Sequence, residues 1–545
     1  MRVHRHWLTA VVLSLGLLFS LKPGVVRAGV ITVCASGCDY DSIQTAIDNA
    51  NTGDTIRLEA EVFTEGEIYI SKRVTIQGQG AGATLVQPAA TQTASTQRIF
   101  HLDDGDNSDE LHITIERLTL RHGNPSGQGG GAILNNEQLS LRDCALTDNA
   151  AQGGSGGGII NAGTLTIDNC TISENTATNH GGGIYNENTA PLVLRNSTVS
   201  DNRAGKSGGG IYNANSTVHL YYSTLTANIA DEDNNDDGDG GGFYNYYDSA
   251  HTYFYSSIVA GNIDASTATA DDCGNDRGSL TSMNYNLVGL NTGCPSDKTG
   301  DQTTSDAKLG PLALNGGRTR THALLTGSPA LDQVPTGSND CGSSPFDADQ
   351  RGKDRPANTN CDVGAYERQD GEETAQNASW IPDQAYVFPN VNVHITSTGT
   401  ISPGLLTILK RSEYPGLSQD SGELPILWTL TANSDEYMLD LALCYSDDEL
   451  GDVPQETLCA YRWNVSSRTW ENQGCTVDEA ANCVTVSGIT QLSPWTVAGC
   501  NGPTSVGLRE LKGSGRGFHP FILLVMAVVV MLPLVWCRRH RAYRR

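Results

Sequence analysis

Three carboxylates, Asp148, Glu174 and Asp201, stand one repeat apart, each directly before an asparagine (Asn149, Asn175, Asn202). Carboxyl pairs serve glycoside hydrolysis as acid, base or nucleophile, and aligned acids can hold a cation. At the spacing of a strand ladder, adjacent members lie near roughly 5 Å and alternate members near roughly 10 Å. No lysine or arginine base accompanies them, since Arg142 and Arg195 lie two repeats apart. Turn acids on an acidic chain are ordinarily just solvated, which is the preferred reading; Asp148, Glu174 and Asp201 are the catalytic candidates. Tyr185, Tyr212 and Tyr244 share another repeat position, next to Ile184, Ile211 and Phe243. On strands of period two these tyrosines point outward and form a column suited to sugar rings or a partner. Tyrosine also simply suits strands. With Tyr221, Tyr222, Tyr246, Tyr247, Tyr253 and Tyr255, nine of the 19 tyrosines fall in this region. A third candidate lies in Asp231–Asp239, where Asp233-x-Asn235-x-Asp237-Gly238 matches the first half of a calcium loop. Asp233, Asn235, Asp237 and Asp239 are the candidate calcium ligands, although Tyr244 stands where the bidentate glutamate belongs. No HExxH, P-loop or nucleophile triad is present. Gly153-x-Ser155-x-Gly157 sits in a glycine run, and Gly78-x-Gly80-x-x-Ala83 opens no helix.

A repeat of about 26 residues positions these side chains. A Gly-Gly-small-apolar-apolar-Asn motif ends at Asn135, Asn161, Asn186, Asn213 and Asn245. A second motif closes on Asn149, Asn175, Asn202, Asn228 and Asn262. Both stretch at the last copy, where Asp231–Gly238 is inserted. Within a unit the apolar period is two: Leu139, Leu141 and Leu146 correspond to Leu165, Ile167 and Ile172, then Leu192, Leu194 and Val199, then Val218, Leu220 and Leu225. Ile113, Ile115 and Leu120 mark an earlier, diverged unit. Short alternating segments broken by Gly and Asn are strands joined by turns, with no helix between them. In-register strands at this period predict a right-handed parallel β-helix, each coil burying its inward residues against its neighbours. Asn can ladder its amide onto the next coil. Ile43, Ala46, Ile47 and Ala50 predict a short amphipathic helix capping the open end.

The glycine-rich and Ile-Ser-Glu-Asn elements resemble the repeats of polymorphic outer-membrane proteins, and the solenoid resembles the pectin-lyase-like superfamily. After the last coil come Leu309-Gly310-Pro311-Leu312, Asn315-Gly316-Gly317, Thr319–Leu324 and Gly327–Asp332. Asp349-Gln350-Arg351-Gly352, Arg355-Pro356 and Cys361–Glu367 follow. This run resembles the bacterial choice-of-anchor Q surface proteins over residues 29–367, which implies surface display and carries no defined chemistry. The superfamily resemblance implies a polysaccharide lyase or glycoside hydrolase as the alternative function.

Residues 1–28 read as a signal peptide, with Arg2 and Arg5 before an apolar run and Val26-Arg27-Ala28 at its end. Residues 368–376 read as a linker, 377–500 as a small β-sandwich-like module, and 501–517 as a spacer. Residues 518–537 read as a transmembrane helix and 538–545 as a basic cytoplasmic tail. The expected fold class is thus all-β: a right-handed parallel β-helix, a small β-sandwich and one C-terminal transmembrane helix. That helix would hold the ectodomain outside, unless tail processing leaves it on the cell surface. Spacing suggests the disulfides Cys34/Cys38, Cys144/Cys170, Cys273/Cys294, Cys341/Cys361, Cys444/Cys459 and Cys475/Cys483, fitting an oxidising compartment. For Cys144 and Cys170, two buried thiols satisfy the same pattern.

The net charge is -26, with 61 acidic against 35 basic side chains. Such a surface repels phosphate backbones, so nucleic acid is excluded as a partner. Sixty glycines without a triplet period exclude collagen, and 38% apolar residues exclude wholesale disorder. The preferred reading is a bacterial cell-surface, membrane-anchored protein, adhesin-like or glycan-binding. Its partner is a polysaccharide or a host or cell-surface ligand, with calcium as the candidate cofactor. A structural spacer is the remaining alternative.

Overall fold

The computed structural model describes residues 28–106, 111–189, 191–235, 237–267, 269–290 and 293–369. Beyond these it describes 372–377, 385–388, 393–397, 406–411, 427–432, 439–445, 450, 455–464, 469–473, 476–478, 481–489 and 494–498. Alternating apolar residues form short strands that stack in parallel and in register. A ten-stranded sheet runs from Val30–Val33 to Ser279–Ser282, and a second from Val62–Thr64 to Gln302–Thr304. An eight-stranded sheet runs from Ile68–Ile70 to Cys273–Asn275. One coil visits each in turn: Ile133–Asn135, Gln138–Arg142, then Ala145–Thr147. Its inward residues pair with their counterparts on the next coil, Ile133 with Ile159, Leu139 with Leu165, and Leu146 with Ile172. These residues are fully buried, and each contributes roughly 1.5–3 kcal/mol by leaving water.

The two asparagine series become two amide ladders. Asn135 Nδ2 donates to Asn161 Oδ1 at 2.7 Å, and the chain continues through Asn186, Asn213 and Asn245. Asn149, Asn175, Asn202, Asn228 and Asn262 form the second, with links of 2.8–2.9 Å. All ten are buried, so each link satisfies polar groups that water cannot reach. The motif glycines Gly130, Gly156, Gly181, Gly208 and Gly240 have φ of 66–72°, a left-handed turn that side chains disfavour. Residues Ile43–Asn49 form the expected capping helix; Ser42 Oγ accepts from Thr45 N, and Ile43, Ala46 and Ile47 are buried.

The second unit is two antiparallel sheets of six and five strands around one core holding Val393, Ile395, Ile408, Trp428, Leu441, Val484 and Trp495. The expected transmembrane helix is corrected. Among the described residues no helix is long and apolar enough to cross a membrane, and residues 518–537, on which that expectation rested, lie outside them. The signal-peptide reading of 1–28 lies almost wholly outside the described residues, as do the spacer at 501–517 and the tail at 538–545.

The disulfides are Cys34–Cys38, Cys273–Cys294, Cys341–Cys361 and Cys444–Cys483. The last replaces the expected Cys444/Cys459 and Cys475/Cys483, because strand register sets Cys444 opposite Cys483. Cys459 is a free thiol, while Cys475 and Cys500 lie outside the described residues. Cys144 and Cys170 are also free and buried. Cys170 Sγ takes the Cys144 N–H at 3.3 Å, the role Ser197 Oγ plays for Cys170 N at 3.1 Å. Sulfur here substitutes for the serine hydroxyl of the other coils.

Candidate functional site

Asp148, Glu174 and Asp201 occupy left-handed turn positions, with φ of 54–59°, at the exit of the sheet that begins at Val62–Thr64. The outward face of that sheet is not open. Residues 309–367 fold back across it as a strap, which the outward Thr171, Ser173, Thr198, Ser200 and Thr224 receive with short hydroxyls. Gln350 Nε2 donates to Thr171 Oγ1 and to Cys170 O, each at 3.1 Å, while Gln350 Oε1 accepts from Thr198 Oγ1 at 2.7 Å. Ala365 N donates to Thr224 Oγ1 at 3.1 Å, and Gly364 N to Ser256 O at 2.8 Å. A Cβ on Gly364 would stand 2.7 Å from the Ile258 side chain, so only glycine allows this approach.

The strap also engages the candidate acids. Arg320 Nη1 lies 2.9 Å from Glu174 Oε1, and Arg318 pairs with Asp143. Asp201 accepts from Ser200 Oγ at 2.9 Å, and Asp148 lies 3.2 Å from His122 Nε2. Burial pushes the Asp148 carboxyl up, partly offset by His122. Each acid is thus engaged by a separate neighbour, Glu174 by Arg320, Asp148 by His122 and Asp201 by Ser200, rather than held as the free acid and nucleophile, or acid and base, of glycosidic cleavage. Sequence reasoning missed the basic partners because they come from 146 residues downstream. It also missed Ser200–His322, where Oγ lies 2.8 Å from Nε2 while Nδ1 meets Gly310 O at 2.7 Å. The pair resembles a nucleophile and base, but the strap carries His322 inward and both residues are buried, and burial holds the imidazole below its ordinary pKa. It fastens the strap.

A buried ion cluster closes the strap. The Arg351 side chain, 0% exposed, meets Asp349 at 2.8 Å and Glu372 at 3.0 Å, with its guanidinium 3.6 Å from the centre of the Tyr366 ring. Against the cost of burial, the two carboxylates hold it charged. Arg355 lies 3.2 Å from Glu367 Oε2 and 4.3 Å over the Tyr222 ring. Burial, then neighbouring Glu367, pushes the Asp362 carboxyl up to about 8. The Asp349-Gln350-Arg351, Arg355 and Cys361–Glu367 elements thus form a structural clamp.

The opposite outcome is seen on the sheet that ends at Cys273–Asn275. Tyr185, Tyr212 and Tyr244 are in register and stack at 5.3 and 5.4 Å, with planes within 17°. The rings stand on edge and cover one another. Tyr212, the middle ring, is only 4% exposed and also meets His180 at 4.4 Å and Tyr246 at 6.1 Å. Burial pushes the Tyr212 phenol up beyond its ordinary range, and the Tyr244 phenol to about 12, with Asp239 adding to the latter. The column ends at Gly274, whose added Cβ would stand 2.4 Å from the Tyr244 ring. Around the corner the aromatics continue: Tyr246 against Tyr247 at 4.4 Å, His219 on Tyr253 at 5.1 Å, and Tyr221 on Tyr255 at 4.2 Å. Tyr247 is 46% exposed. The belt offers the half-buried ring edges of Tyr185 and Tyr244 along the stack and the exposed Tyr247 beside it.

The proposed calcium ligands are only partly brought together. Carboxylate oxygens of Asp231, Asp233 and Asp237 lie within 4.8 Å of one another. Asn235 bridges them instead through hydrogen bonds to Asp233 at 3.1 Å and from Asp237 N at 3.1 Å. Lys206 Nζ stands 2.9 Å from Asp237. Asp239 leaves the group and pairs with Asp271, whose carboxyl is pushed up to about 7 by burial and then by Asp239. Asp103, Asp104 and Glu137 form a second carboxylate group that the repeat pattern did not point to.

The model of the family described as "Right handed beta helix region" matches residues 68–264. Among solved structures, pectate lyase Pel9A is 12% identical, covering 64% of this chain and 98% of its own, with a TM-score of 0.39. Pectin methylesterase from carrot is 13% identical, covering 51% and 88%, with a TM-score of 0.28. ORF18 of Geobacillus virus E2 is 13% identical, covering 85% of each chain, with a TM-score of 0.27. The comparison with curated proteins gives no match. Family model and sheet topology agree that residues 68–264 form a right-handed parallel β-helix.

Proposed function

We propose that this protein is an exported, surface-displayed β-helix that binds polysaccharide through its aromatic belt. The observation that carries the reading is the contrast in how outward residues are treated: the tyrosine stack keeps Tyr185 and Tyr244 partly exposed, with no strap across them, while the hydroxyl-bearing face is sealed. The resemblance of residues 29–367 to choice-of-anchor Q surface proteins supports display, and four disulfides suit an oxidising compartment. Aromatic rings bind the apolar faces of sugars. The lyase or hydrolase alternative draws on the β-helix fold alone, because Glu174 is paired with Arg320, Asp148 with His122, and the Ser200–His322 pair is buried by the strap. Calcium at Asp231, Asp233 and Asp237 would stiffen the loop beside the belt. A polysaccharide array is the test. Binding should fall at least tenfold when Tyr185 and Tyr244 are replaced by Ala, and unchanged binding removes this face from consideration.

A further inference from the structure

The belt sits in a markedly acidic setting. Glu187 lies beside Tyr185, and Asp239 and Asp276 lie beside Tyr244. The cations nearby are already engaged: Lys206 with Asp237 at 2.9 Å and Arg277 with Asp276 at 3.1 Å. The chain as a whole carries -26. A polyanion approaching this face would meet Glu187 and Asp239, which pair with neither of these cations, and like charges at close range are repelled.

A second observation concerns what the rings already accept. The Arg277 guanidinium lies over both Tyr246 and Tyr247, at 5.5 and 5.3 Å from the ring centres. Cations within about 6 Å of a ring face are attracted by its quadrupole, and small ammonium groups use the same geometry. One side chain of the protein thus demonstrates that this surface seats a cation between rings and carboxylates.

We infer that the belt's ligand is a polysaccharide bearing protonated amino groups, its sugar rings set along the edges of Tyr185 and Tyr244 and at Tyr247, and its ammonium groups against Glu187 and Asp239. The inference rests on the polysaccharide-binding reading and narrows it to one charge class. Uronate polymers, the anionic class, are excluded by the same carboxylates.

The test is calorimetric titration of the full chain with three hexamers: glucosamine, N-acetylglucosamine and galacturonate, at mildly acidic pH and moderate salt. The glucosamine hexamer should bind at least tenfold more tightly than the N-acetylated one, and the galacturonate hexamer should not bind. Replacing Tyr185 and Tyr244 together by Ala leaves net charge unchanged and should weaken glucosamine binding at least tenfold. Tyr247→Ala, at an exposed tip, should weaken it several-fold with an unaltered melting temperature. Preference for the neutral or the anionic hexamer overturns the inference and leaves polysaccharide binding standing. Glucosamine binding unaffected by all three tyrosine changes overturns it as well, since diffuse charge attraction then suffices. If none of the hexamers binds, the polysaccharide reading itself falls.

Discussion

Two outward faces of one solenoid have opposite fates. Where the repeat places Thr and Ser outward, at Thr171, Ser173, Thr198, Ser200 and Thr224, a later segment lies flat and bonds to them. Where it places Tyr outward, at Tyr185, Tyr212 and Tyr244, rings stack on rings. Small hydroxyls permit backbone approach and offer hydrogen bonds, whereas a tall aromatic stack satisfies itself and offers little to a polar strap. Identical backbone registers therefore yield a sealed surface or an uncovered one according to side-chain height and polarity.

The largest expected effect tests how firmly the strap is held. Arg351→Ala leaves Asp349 and Glu372 buried without their cation and should cost about 3–5 kcal/mol in denaturant unfolding. Tyr247→Ala, on the uncovered face, should stay within about 0.5 kcal/mol. Equal losses would erase the contrast.

A smaller effect is set by pH. The Asp362 carboxyl is raised to about 8 in the folded chain from an ordinary value of 3.8. Between those values the unfolded chain has released a proton that the folded clamp still holds, so this group's contribution to stability declines as pH rises through that window. Asp271, raised to about 7, acts in the same direction. Melting curves of the parent and Asp362→Asn should therefore shift in the variant's favour from pH 4 to pH 8. A constant gap would mean that the clamp holds no such proton.

The smallest effect belongs to Glu174→Gln. The side chains of Arg320 and Glu174 are 31% and 47% exposed, and exposed pairs contribute about 0–1 kcal/mol. Stability should barely change, and glycan binding not at all. Release of reducing ends or unsaturated products by the parent, abolished in this variant, would instead make the strap-side turn catalytic.

The coils were legible because their determinants are local and periodic. Leu139, Leu141 and Leu146 announce inward positions, and Asn149 through Asn262 announce a ladder, before any fold is seen. The strap was not legible. Arg320 meets Glu174, and Gln350 meets Cys170, across 146 and 180 residues, and no local period encodes such a meeting. The motifs from Leu309 to Glu367 were visible in the sequence without their role being apparent. The strap's signal was the density of polar residues, Asp349, Arg351, Arg355 and Glu367, that the fold buries. The Cys444–Cys483 bond was missed for a related reason: register joins cysteines 39 residues apart, past the nearer Cys459. The tyrosine column was found in the correct register, but its enclosure of Tyr212 depends on ring orientation, which spacing does not convey.

Hydrogen exchange with and without the glucosamine hexamer tests the central claim most directly. The account expects new protection in peptides spanning residues 184–188 and 243–248, with residues 171–174, 198–201 and 318–322 unchanged beneath the strap. Protection confined to the strap side, or opening of residues 318–322 on binding, would contradict it.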